Sequence, residues 1–233
     1  MIQFKSLNEE IEFFSPVEEI NVKVELAGNE KIVIIDNFYK HPEKIRELAL
    51  QIPASRSPTL LHALPGARVE ATYHFGHFGH FIIEIINKVY TEDASLIDNE
   101  SIQYNLDRAT FLVNIQNSDE ALSKIQRPHQ DHMLDARYAI GIYLNTSEEC
   151  AGGTAFYKFK GKQTVDLENS TDPDLRGYNY YVQESDNLWE KLYLAEMKFN
   201  RLIIYKQNIL HTPYIPANKF TEDSPRLVQM IFI

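Results

Sequence analysis

The chain has 233 residues, 44% of them hydrophobic and 12% aromatic, which suffices for one sizeable core and excludes the disordered and fibrous classes. Its formal charge of -10, with no run of Lys or Arg, opposes nucleic acid over most of the surface. A single cysteine, Cys150, excludes an internal disulfide, and the longest apolar runs (Ile32 to Ile35, Phe81 to Ile86) fall far short of the roughly 20 residues of a spanning helix. The opening MIQFKSLNEE also lacks the apolar segment of a secretory signal, so a cytoplasmic protein with no membrane partner is expected.

No repeat, low-complexity tract or Gly/Ser linker divides the chain, and residues 1–233 are expected to form one domain. The opening reads as strands at Ile11 to Phe14, Val22 to Leu26 and Lys31 to Ile35, with turn signals at Ser15-Pro16 and Gly28-Asn29. His41-Pro42 starts a helix whose apolar face is Ile45, Leu48 and Ala49 over Pro42 to Gln51. Gly76 to Val89 places Phe78, Phe81, Ile82, Ile85 and Ile86 on one side, which predicts a second amphipathic helix packed on a sheet.

From residue 103 the rhythm changes to short runs rich in Ile, Val, Tyr, Phe and Thr. Ala109 to Ile115, Tyr138 to Leu144, Thr154 to Tyr157, Arg201 to Tyr205 and Leu227 to Ile233 alternate with polar loops, as in an antiparallel barrel or jelly roll. The expected fold class is therefore α+β and β-dominated. Residues 161–200 form a long polar insertion, in which the spacing of Leu188, Leu192, Ala195 and Glu196 predicts a short helix over Asn187 to Lys198.

The sharpest chemical signal is His129-Gln-Asp131, answered by a single His211 after the apolar run Leu202 to Tyr205. Two imidazoles and one carboxylate are the facial ligand set of mononuclear Fe(II) oxygenases. In an extended segment residues i and i+2 point to the same side, so His129 and Asp131 can reach one ion while the third ligand arrives from a distant strand. Three protein ligands on one octahedral face leave positions for a chelating cosubstrate and O₂. A His-x-Asp alone occurs readily by chance, and core histidines are the bland alternative.

The context removes much of that ambiguity. The chain carries, in order, His129-Gln-Asp131, Tyr143-Leu-Asn145, Gly152-Gly-Thr-Ala-Phe156, Asn200-Arg-Leu-Ile-Ile-Tyr205, His211 and Arg226-Leu-Val-Gln-Met. In this series it resembles the 2-oxoglutarate/Fe(II)-dependent dioxygenase superfamily over about residues 103–233. Upstream, Asp36-Asn-Phe-Tyr, Pro42, Arg46-Glu-Leu-Ala-Leu and Leu64-Pro-Gly-Ala-Arg68 look like the amino-terminal part of a little-characterised subgroup of it.

The resemblance implies a double-stranded β-helix (jelly roll) core over 103–233, supported by strands and helices of 1–102. It implies iron ligation by His129, Asp131 and His211, with Arg226 pairing the distal carboxylate of 2-oxoglutarate through two parallel hydrogen bonds. Tyr143 matches a tyrosine that bonds the same carboxylate in some members, and Val228 stands where the family often has Ser or Thr. A carboxylate at Asp131 disfavours halogenation, since halogenating relatives have a small residue there. The implied activity is decarboxylation of 2-oxoglutarate coupled to hydroxylation, or related C–H oxidation, of a small-molecule or amino-acid-like substrate. Fe(II), 2-oxoglutarate and O₂ are the implied cofactors.

Other readings stand beside this one. A jelly-roll protein that binds metal without turnover would keep the same residues, and a zinc hydrolase would need neither O₂ nor 2-oxoglutarate. His132 invites comparison with a two-metal His-x-His-x-Asp-His site, but Arg127 occupies the first position of that motif. His74, His77 and His80 recur at helical spacing without a carboxylate, and Tyr178 to Tyr181 and Trp189 are as suited to anchoring the insertion as to lining a pocket. Nothing in the sequence specifies the prime substrate or an oligomeric state.

Overall fold

The computed structural model describes residues 4–52, 67–72, 76–91, 110–119, 127–131, 136–162, 165, 170–175 and 181–233. Its elements run α1 (Leu7–Phe13), β1 (Val22–Ala27), β2 (Glu30–Ile35), α2 (Pro42–Gln51), β3 (Ala67–Thr72), α3 (Gly76–Val89), β4 (Thr110–Gln116), β5 (Tyr138–Tyr143), β6 (Gly153–Phe159), β7 (Trp189–Glu196), β8 (Leu202–Lys206), β9 (His211–Tyr214) and β10 (Arg226–Phe232). The fold is α+β with more strand than helix. Its strands form two antiparallel sheets, a seven-stranded one in the order β1-β2-β8-β5-β10-β4-β3 and a three-stranded one in the order β7-β6-β9.

The unbroken apolar runs of β2, β5 and β8 follow from their place in the large sheet, whose central strands are buried on both faces. On one face Val33, Ile35, Ile140, Ile142, Leu202, Ile204, Leu227 and Ile231 pack with Ile45, Leu48 and Ala49 of α2 and Ile82, Ile85 and Ile86 of α3. On the other, Ile32, Ile34, Ala139, Tyr143, Ile203, Tyr205 and Val228 pack with Phe156 of β6 and Ala195 of β7. Each fully buried Ile or Leu contributes about 1.5–3 kcal/mol, so both layers hold the sheet strongly. A third cluster, Ala155, Tyr157, Phe159, Leu175, Val182, Leu188, Trp189 and Leu210, seals the outer face of the small sheet with parts of the 161–200 insertion.

Two expected elements are corrected. The strand expected at Ile11 to Phe14 is the end of helix α1, because Ser6 caps it by accepting the Glu9 N–H at 3.2 Å while Glu9 accepts the Lys5 N–H at 2.7 Å. The helix expected over Asn187 to Lys198 is strand β7. Asp186 accepts the N–H groups of Leu188 and Trp189 at 2.7 and 2.8 Å, turning the chain into a strand that pairs with β6 along its length. Strand pairing and the burial of Trp189 override the helical spacing of Leu188, Leu192 and Ala195. β3 and β9 are strands that the sequence pattern does not announce.

Two residues with positive φ join the layers. Asn200, at φ 61°, accepts from the Tyr39 N–H at 2.8 Å and donates to the Tyr39 carbonyl at 2.9 Å, while its own backbone bonds Phe38 and Tyr143. Asparagine suits the position because it tolerates left-handed backbone and its amide mimics a peptide unit. Gly152, at φ 68°, begins the approach to β6, and a Cβ there would overlap the carbonyl oxygen of Tyr214. We expect Gly152→Ala to lower unfolding stability by at least about 2 kcal/mol, since it combines strained backbone with a clash against main chain. A denaturation midpoint equal to wild type would contradict this packing.

Candidate metal centre

The segment 129–131 is held extended by the main chain. His129 and His211 form an isolated antiparallel bridge with reciprocal N–H···O bonds of 2.8 and 2.9 Å, and the Asp131 N–H donates to the Gln207 carbonyl at 2.9 Å. Gln130 takes the opposite side, its amide donating to the Asn208 carbonyl at 2.6 Å. The i, i+2 geometry thus places His129 and Asp131 together, and β9 delivers His211 to the same point.

The result is a compact donor set: one ligand atom from each of His129, Asp131 and His211 lies within 4.8 Å of the others. His211 Nε2 is 3.3 Å from one Asp131 oxygen and His129 Nε2 is 3.8 Å from the other. Ligands bound at about 2.1 Å and at right angles stand about 3 Å apart, so the three must draw together to grip one ion. His211 Nδ1 lies 2.9 Å from the Ile209 carbonyl, to which it donates when protonated, leaving Nε2 as the metal-facing lone pair. The side chain of His129 keeps 33% of its exposure and that of His211 only 5%, so the cluster opens on the His129 side.

Aromatic walls surround the inner ligand. Tyr205 packs edge-on to His211 at 4.8 Å between ring centres, and Phe156 lies against both. Burial pushes the Tyr205 hydroxyl far up, with the Asp131 charge adding to the effect and Arg226 opposing it. Arg226 enters the same interlayer space from the other side, through Gly153 of β6, the strand whose Phe156 pairs with His211.

Arg226 opens β10 and is 4% exposed. It donates to the Gly153 carbonyl at 3.2 Å and its guanidinium stands 5.7 Å from the centre of the Tyr143 ring. Its Nε meets no acceptor, and no carboxylate of the described residues pairs with it. Burial draws its pKa down, opposed by the surrounding tyrosines Tyr143, Tyr181 and Tyr205. A buried, uncompensated guanidinium is costly unless an anion arrives to share it.

Tyr143 stands beneath Arg226, but its hydroxyl already bonds Thr154 Oγ at 2.8 Å and the Ala195 carbonyl at 3.3 Å. Two further residues join the site, Gln116 and Asn145. Gln116, directly cross-strand from Arg226, is 3% exposed and its Nε2 has no hydrogen-bond partner among the described residues. Asn145 brackets Arg226, donating to the Pro225 carbonyl at 2.9 Å and accepting from the Leu227 N–H at 2.7 Å. Nothing in the sequence distinguishes Gln116, whereas Asn145 closes the Tyr-Leu-Asn motif, which could have pointed to it.

The other residues singled out fall elsewhere. His132, His74 and Tyr178 to Tyr180 lie outside the described residues, and His80 is exposed on α3. Tyr181 anchors the insertion, donating to the Pro213 carbonyl at 2.5 Å and accepting from the Ile215 N–H at 2.6 Å, and Trp189 is fully buried in the outer cluster. A cleft of about 740 Å³ opens at β1 and β7, lined in part by Asp36, Lys198 and Arg201 rather than by the histidines.

A family model matches residues 18–230. The chain belongs to that family, the family of unknown function DUF6445. A search of curated proteins finds no match. No helix among the described residues of this DUF6445 protein is long and apolar enough to cross a membrane.

The two histidines of this DUF6445 site titrate in opposite directions. Burial, reinforced by His211, holds His129 well below the ordinary imidazole value. Burial alone would lower His211 too, but the Asp131 charge and hydrogen bond, with the Ile209 carbonyl, outweigh it and raise the value. A protonated imidazole cannot ligate, so the His211 proton competes with metal while His129 stays available. Affinity for a divalent ion is expected to climb with pH over the interval that leads up to the raised His211 value, with proton release on binding. Calorimetry in buffers of different ionisation enthalpy measures this, and an affinity flat across that interval would refute it.

Proposed function

We propose that this protein is an Fe(II)- and 2-oxoglutarate-dependent oxygenase, built on a double-stranded β-helix (jelly roll), that hydroxylates a small-molecule or amino-acid-like substrate. The observation that carries the reading is the conjunction of a His/Asp/His donor set with a buried arginine that meets no carboxylate among the described residues and reaches the same interlayer space through Gly153. The donor set alone suits several divalent ions. A dedicated cation beside it suits a ligand that chelates the metal at one end and carries a carboxylate at the other.

In this reading His129, Asp131 and His211 hold the iron, and Arg226 takes the distal carboxylate of 2-oxoglutarate with Gln116 as a second donor. Iron bound there would couple decarboxylation of 2-oxoglutarate to O₂ activation for attack on a C–H bond. Tyr143 supports the guanidinium from below. Asn145 fixes the backbone on either side of Arg226, so the guanidinium is positioned before the ligand arrives. Phe156, Tyr205 and Val228 keep the inner wall apolar and limit water around the chelate. Retention of Asp131 favours hydroxylation over halogenation, because the carboxylate keeps the position a halide would need.

The test is anaerobic addition of Fe(II) and then 2-oxoglutarate to the metal-free protein, watching for the visible charge-transfer band of a chelated keto acid. His129→Ala is expected to abolish the band. Arg226→Ala is expected to weaken 2-oxoglutarate binding by roughly tenfold to a hundredfold, the value of hydrogen bonds to a charged group. Confirmed metal binding without any band would end the oxygenase reading. Turnover with Zn²⁺ in the absence of O₂ and 2-oxoglutarate would replace it with hydrolysis.

A further inference from the structure

β1 is an end strand of the large sheet, and the parity of its hairpin decides which of its backbone groups are already used. The two-residue turn Gly28-Asn29 joins it to β2, with Gly28 at φ 65° and a register running from Ala27↔Glu30 to Val22↔Ile35. Such a turn closes on a residue pair that exchanges both hydrogen bonds, and these pairs recur at every second position. Ala27, Glu25 and Lys23 therefore bond to β2, and the N–H and C=O groups of Val22, Val24 and Leu26 point away from it. No backbone hydrogen bond among the described residues reaches those three.

Their side chains share one face and are 38%, 44% and 60% exposed, three of the five exposed large apolar side chains among the described residues. On the opposite face Lys23 and Glu25 form an ion pair. We propose that β1 docks antiparallel on β1 of a second copy of this chain, about a twofold axis at Val24. Val24 then exchanges both backbone bonds with the partner's Val24, and Val22 lies across from the partner's Leu26. Lys23 faces the partner's Glu25, and Glu25 the partner's Lys23. The strand is its own complement: apolar meets apolar and charge meets opposite charge on both sides of the axis, which favours a second copy over a foreign strand.

Pairing through five residues a side, Val22 to Leu26, buries less than the roughly 1,200 Å² of stable interfaces, so the dimer dissociates at about 10 µM or above. The strands that carry His211 and Arg226 do not lie at this edge, so the dimer stands apart from the proposed chemistry and its failure leaves that reading untouched.

Sedimentation velocity of the full chain from about 1 to 200 µM is expected to show a monomer passing to a dimer. Val24→Pro removes only an outward N–H and keeps the β1–β2 ladder, so it is expected to be monomeric with unchanged circular dichroism. Lys23→Glu and Glu25→Lys should each weaken self-association at least tenfold, and their equimolar mixture should restore it, because every cross-strand pair is then Glu against Lys. Should Val24→Pro fail to fold, the charge pair decides. A wild type monomeric throughout, or a dimer indifferent to these substitutions, overturns the proposal; the first outcome makes Lys23 a guard against edge pairing.

Discussion

Everything in this molecule depends on a sheet whose central strands are buried on both faces. Strands such as β5 and β8 have no solvent side, so each residue on them must be apolar or have a reason to be polar. On the helix side Gln229 is such an exception, its amide oxygen accepting the Tyr39 hydroxyl at 2.8 Å. On the side facing the small sheet the exceptions gather. Tyr143, Tyr205 and Arg226 project from neighbouring strands of the large sheet, and His211 meets them from the small one. Burying this many polar groups against hydrophobic layers costs stability, and such cost concentrates where function requires it.

The positions of those groups are set by main-chain and amide bonds more than by side-chain packing. The reciprocal bonds between His129 and His211 fix one edge of the site to the other. Asn200 ties the segment before α2 to the end of β5, and Asn145 holds both sides of Arg226. Asn145 also lies 3.4 Å from Glu149, whose carboxylate binds Arg46 of α2 at 2.9 and 3.0 Å. The helix layer is thereby connected to the start of β10 through polar contacts, so α2 does more than cover apolar surface. Neutral amides suit this work because they supply a donor and an acceptor without adding charge to a buried region.

How legible this was in the sequence depends on how local each signal is. α2 and α3 are carried by helical spacing of apolar residues, and β2, β5, β8 and β10 by runs of β-branched side chains. The candidate metal ligands were legible because an i, i+2 pair needs only extended backbone to converge. β7 defeats sequence reading because Leu188, Leu192 and Ala195 satisfy a helical period, and only pairing with β6, distant in sequence, decides against it. α1 is lost when Ile11 to Phe14 is considered without its cap, Ser6. Short β9, with Pro213 inside it, has no strand signal apart from its partner. Gln116 looks like any polar residue at a strand end, and its burial exists only once β10 lies beside it.

The electrostatics of the interlayer space bear on the kind of ligand it accepts. With both histidines neutral, a divalent ion beside Asp131 would leave one net positive charge, and Arg226 adds another in the same interlayer space. Two like charges in a medium of low dielectric repel strongly, and no carboxylate among the described residues pairs with the arginine. A monoanion can relieve only one of them. A dicarboxylate neutralises both, provided its charges are separated by about the span from the metal to the guanidinium. The proposed cosubstrate therefore matches the site in charge. Ligand and metal should accordingly bind with positive coupling, since the metal raises the field the distal carboxylate must answer and the arginine holds the keto acid where the metal needs it.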